Sequence, residues 1–149
     1  MNIEQPVSRF VQFCTDDSKE LPGHGDLLVE LDRLLVSTDI GEFEYDDTEY
    51  PDAPALDHAE IRDKICRRFP KLGFYCTSDG EPEEIDKAEI LVGDAIDDLV
   101  DIVADLKDVQ WCLENTSVND AAWHFQFTFR THWGLHAREL QLHLHKHWW

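Results

Sequence analysis

Apolar residues recur along this chain at spacings of three and four, in about five separate stretches. Val7, Phe10, Val11 and Cys14 mark a short amphipathic helix whose first turn accommodates Pro6. Leu21-Pro22-Gly23 breaks it, and a second helix opens near Asp26 with Leu27, Leu28, Leu31, Leu34 and Leu35 as its apolar stripe. A third begins at an Asp57 cap, carries Ile61, Ile65 and Phe69, and ends at Pro70. Residues 72–75 read as a short extended piece with no partner strand in sight. Leu91, Ala95, Leu99, Ile102, Leu106, Val109 and Leu113 then follow an unbroken 3/4 spacing, which predicts one long helix from about Leu91 to Glu114. The final helix runs from an Asn119 or Asp120 cap to about His147, along Ala122, Phe125, Phe129, Trp133, Leu140 and Leu144.

Two long helices joined by a short turn at 115–119 pack antiparallel. The expected fold class is therefore all-α: one domain over residues 1–149, a helical bundle of about five helices, the last two long and antiparallel. The stretch at about 38–56 breaks the periodicity. It holds Asp39, Glu42, Glu44, Asp46, Asp47, Glu49 and Asp52, and reads as an acidic loop tacked down by Phe43, Tyr45 and Tyr50.

Charge adds a constraint on partners. There are 32 acidic against 13 basic residues, a net charge of −19. Such a surface repels phosphate backbones and anionic headgroups, so no nucleic acid and no membrane is expected, and a protein partner would be basic. No segment approaches the roughly 20 apolar residues that span a bilayer. Met1 to Pro6 shows no basic segment followed by an apolar run, and Cys14, Cys66, Cys76 and Cys112 form no CxxC pair. Those features place the chain in the cytoplasm with reduced thiols.

The same charge is unevenly distributed. Residues 115–149 hold only two acidic side chains, with three basic ones and six of the eight histidines. His132, His136, His143 and His147 fall within about 60° on a helical wheel. On the preceding helix, Asp94, Asp98, Asp101, Asp105 and Asp108 form a ladder with 4-3-4-3 spacing beside the apolar stripe. Two imidazoles at i, i+4 can meet one metal ion, and a carboxylate ladder on the facing helix supplies oxygen ligands. His132, His136, Asp98 and Asp101 are the candidate ligands. The competing reading is a set of histidines hydrogen-bonded across the helix pair, flanking an ordinary seam. Trp133 stands where a metalloprotease would have Glu, and no Glu-x-x-His repeat occurs. Asp98-x-x-Asp101 with Glu60-x-x-Asp63 are possible halves of a Mg²⁺ site like that of all-helical nucleotide pyrophosphohydrolases, but that family's denser glutamate motif is missing.

No Walker loop, GxGxxG or GxSxG is present, so no organic cofactor is expected and a divalent metal is the one inorganic ligand the pattern allows. The first functional expectation is a non-enzymatic protein-binding domain, using its acidic surface or Trp133, Trp148 and Trp149 as contacts. The alternative is a metal-dependent, hydrolase-like enzyme with a His/Asp site between the last two helices.

Asp97-Asp98-Leu99-Val100-Asp101-Ile102 with Asp105-Leu106-Lys107, and His132-Trp133-Gly134 with His136-Ala137, resemble motifs of a bacterial family described as a domain of unknown function. The resemblance extends from about Phe10 to His143 and departs at the end, where Leu140-Gln141-Leu142-His143 replaces the usual Ala-Leu-Arg-Ala-Leu-His. It implies an all-helical bacterial domain and carries no activity, ligand or catalytic residue.

Overall fold

The computed structural model describes residues 2–147. Helix α1 (Glu4–Thr15) buries Val7, Phe10, Val11 and Cys14. Helix α2 (His24–Val36) buries its leucines, and Asp26 accepts the Gly23 N–H at 2.7 Å to close its first turn. Helix α3 (His58–Arg68) opens on the Asp57 cap, which accepts from the Glu60 N–H. Arg68 at its end is buried and donates to the Phe13 and Glu20 carbonyls and the Ser18 hydroxyl, which satisfies the turn between α1 and α2.

The first departure from a purely helical chain follows. Strand β1 (Phe74–Asp79) pairs antiparallel with β2 (Glu89–Asp94), and a 3₁₀ stretch, Pro82–Lys87, joins them. The fold is mostly α-helical, with a small two-stranded sheet. The extended piece expected at residues 72–75 begins at Phe74 and does have a partner, in a segment whose Leu91 also continues the helical 3/4 spacing. In the structure Leu91 lies on β2, substantially exposed, and the long helix begins four residues later. Asp94 is the N-cap of that helix rather than a rung of the ladder, accepting from the Ile96 and Asp97 N–H groups.

Helix α4 (Ala95–Asn115) is the central element, packed by α1, α3 and the last helical rod. Ala95, Leu99, Ile102, Leu106 and Val109 are all fully buried. The last rod is α5 (Val118–Thr128), a π-helical turn (Phe129–Trp133) and α6 (Gly134–His147). It starts at Ser117, whose hydroxyl accepts the Asp120 N–H, two or three residues before the expected cap. His136 meets Asp98 while His132 meets Asp105, so the rod runs antiparallel to α4 as expected.

The acidic stretch is held on the bundle. Ile40, Phe43 and Leu56 pack against the core, Tyr50 donates to Asp46, and the Ser117 hydroxyl also donates to Asp46. Tyr45 is exposed and makes an edge-on contact with Trp123.

Candidate functional site

The aspartate ladder and the histidine line meet along the groove between α4 and the last rod. Asp98 is 5% exposed, an unusual position for a carboxylate. Its two oxygens are both engaged. One accepts from the Tyr75 hydroxyl and the other from His136 Nδ1 at 2.8 Å. Tyr75 reaches it because Gly93 lies opposite on β2, where a Cβ would come within 2.4 Å of the tyrosine ring. His143 stacks on the outer face of the same ring at 4.6 Å.

Burial, then the bond to Asp98, holds the Tyr75 hydroxyl well above the ordinary phenol range. Tyr75 therefore remains a donor. The bond to Asp98 outweighs desolvation at His136 and raises the imidazole above its usual value. A carboxylate only accepts, so His136 carries its proton on Nδ1 and turns Nε2 toward the groove. There Nε2 lies 3.4 Å from Asp101 Oδ2.

His132 repeats the pattern one turn earlier, with Nδ1 2.7 Å from Asp105 Oδ2. Burial raises the Asp105 carboxyl, and the His132 bond opposes that shift. The His132 and His136 rings stand 5.0 Å apart, edge to face. One ligand atom from each of Asp101, His132 and His136 lies within 4.8 Å of the other two. Two ligands about 2.1 Å from a shared tetrahedral ion stand roughly 3.4 Å apart, so the His136–Asp101 separation already suits a common cation.

The π turn sets this register. Gly134 N–H bonds to the Phe129 carbonyl five residues back, and a Cβ on residue 134 would lie 2.3 Å from that oxygen. The extra residue in the turn presents His132 and His136 to the ladder while Trp133, Ala137, Leu140 and Leu144 go to the core.

All four residues expected as ligands thus converge, but in two roles: Asp101, His132 and His136 face one another, whereas Asp98 lies behind His136. Trp133 is not a surface contact. It is fully buried against Phe125 and Phe129, with its Nε1 unpaired among the described residues. Trp148 and Trp149 lie outside the described residues. Glu60 and Asp63 are exposed on α3, Glu60 pairs with Lys64, and neither joins Asp98 and Asp101. Sequence reasoning missed Tyr75, because nothing in its own neighbourhood pairs it with an aspartate 23 positions on.

No described helix is long and apolar enough to cross a membrane. No curated protein sequence matches the chain. Its fold is similar to that of protein BF1032 from Bacteroides fragilis, known from a crystal structure. The TM-score is 0.73 over 97% of this chain and 89% of that one, at 16% identity, a likeness of fold alone. The family described as Domain of unknown function (DUF5063) matches residues 6–148, and the chain is a member of that family.

Proposed function

We propose that the groove between α4 and the last rod binds a divalent transition-metal ion through Asp101, His132 and His136. The observation that carries this reading is the pairing of each imidazole Nδ1 with its own aspartate, Asp98 or Asp105. That is how proteins orient metal-binding histidines and make them better ligands. One carboxylate and two imidazoles suit Zn²⁺ and its first-row neighbours better than Mg²⁺ or Ca²⁺. Three protein ligands leave a position for water, the arrangement of hydrolytic metal sites, so metal-assisted hydrolysis is the reaction class this site supports.

Calorimetric titration of tag-free, metal-free protein with Zn²⁺ tests the reading. His132→Gln and His136→Gln should each weaken binding at the groove by at least about tenfold, and Asp98→Asn by about 10- to 100-fold. Affinity unchanged in both histidine variants would end it.

A second reading rests on the net charge of −19 and the exposed carboxylates of residues 39–52: a docking surface for a basic protein segment. It calls for a partner whose association weakens steeply with salt, and loss of salt dependence would remove it. The four unpaired cysteines support a reducing, cytoplasmic setting.

A further inference from the structure

The aspartate ladder continues one step beyond Asp108. Its next position in the 4-3-4-3 series is Cys112, at the far end of the same groove. Cys112 is 3% exposed, and on the opposite rod Asp120 and His124 face it. One ligand atom from each of Cys112, Asp120 and His124 lies within 4.8 Å of the other two. His124 Nε2 stands 3.8 Å from Asp120 Oδ1, too far for a hydrogen bond and close to the separation of two groups sharing an ion.

These residues border a cleft of about 350 Å³, roofed by Thr48, Tyr50, Pro51 and Asp52 of the acidic loop. Asp108 lines the same cleft, one turn before Cys112, and makes no hydrogen bond among the described residues. The loop is held over this end by Asp46, which accepts from Ser117 and Tyr50. The Ser117 cap that starts α5 therefore also fixes the loop beside Asp120 and His124.

We infer that Cys112, Asp120 and His124 form a second, softer metal site, selective for Zn²⁺ or a similar thiophilic cation, with Asp108 placed to complete the coordination. A thiolate between two carboxylates is electrostatically unfavourable without a cation, and a divalent ion supplies the missing positive charge. On binding, the Cys112 thiol releases its proton to solvent and the sulfur bonds to the metal. A sulfur ligand separates this site from the Asp101–His132–His136 group, so the two stand or fall independently.

Cobalt(II) provides the test, because only thiolate ligation produces an intense sulfur-to-cobalt charge-transfer band in the near ultraviolet. The full-length, metal-free chain carrying Cys66→Ser and Cys76→Ser is titrated, which removes the two exposed thiols. The band should develop with one equivalent of cobalt bound at this site. It should vanish in Cys112→Ala, require at least tenfold more cobalt in His124→Gln, and persist in His132→Gln. His124 is half-exposed, so its variant reads the site even if Cys112→Ala fails to fold. No band in the folded parent protein, a band unchanged in Cys112→Ala, or one lost in His132→Gln would overturn the inference.

Discussion

Replacing Gly134 by alanine perturbs the turn on which the His/Asp register depends. Two responses are open to the chain. If the π turn persists, the new methyl must move about 1 Å from the Phe129 carbonyl, which it would otherwise approach to 2.3 Å. A backbone shift of that kind costs roughly 2–3 kcal/mol, as overpacking in a core does. If the turn instead reverts to regular α-helix, every later residue rotates by about 100°. Leu140 and Leu144 then leave the core, each forfeiting about 1.5–3 kcal/mol, and His136 leaves Asp98. The first response is cheaper. Alanine returns about 1 kcal/mol of helix propensity, so the net loss is roughly 1–2 kcal/mol, or about 2–8 °C in Tm for a domain of this size. Urea denaturation followed by far-ultraviolet circular dichroism measures it, with helix content unchanged. Unchanged or increased stability, as an ordinary helical glycine would give, would refute the claim that Gly134 is required by the turn.

Tyr75→Phe should cost about 1–2 kcal/mol by chemical denaturation, because it leaves one oxygen of the buried Asp98 carboxylate without its donor; a neutral result would show that bond to be dispensable. Trp133→Phe should be much milder than its burial suggests, since the indole N–H it removes has no partner; a loss above about 3 kcal/mol would mean that packing volume alone governs the site. Glu30 accepts two bonds from Arg9 and one from Arg33, and these, Arg9 first, hold its carboxyl below the ordinary range against the effect of burial. A depressed folded-state pKa stabilises above the unfolded value of about 4.3 and the benefit disappears as pH falls through the folded value. The stability gap between wild type and Glu30→Gln should therefore be full at pH 6 and shrink below about pH 4; a gap that widens on acidification would contradict the sign.

The long helices were legible because their apolar positions recur over several turns: Ala95, Leu99, Ile102, Leu106 and Val109 are buried at the predicted spacing, as are Ala122 and Phe125 before the π turn and Leu140 and Leu144 after it. The wheel groups His132 with His136 and Asp98 with Asp101, whereas the facing of the two pairs also depends on the π turn, which the wheel does not contain. The hairpin was less visible. Leu91 satisfies the helical series by chance, and strand pairing between residues 74–79 and 89–94 depends on a contact that no local pattern encodes. The π turn was hidden too, since one inserted residue hardly alters a 3/4 spacing yet moves Phe129 toward the edge of the core and draws Trp133 fully inside. Cys112 escaped notice because a ladder read as aspartates ends at Asp108, although the geometry does not.

An anomalous-difference map from crystals of the full chain grown with Zn²⁺ and recorded at the zinc edge bears most directly on the central claim. A peak bonded to Asp101, His132 and His136, with Asp98 still joined to His136 Nδ1, is the expected result. A groove with no peak, in crystals where zinc is bound elsewhere on the chain and these side chains are unobstructed, would contradict it.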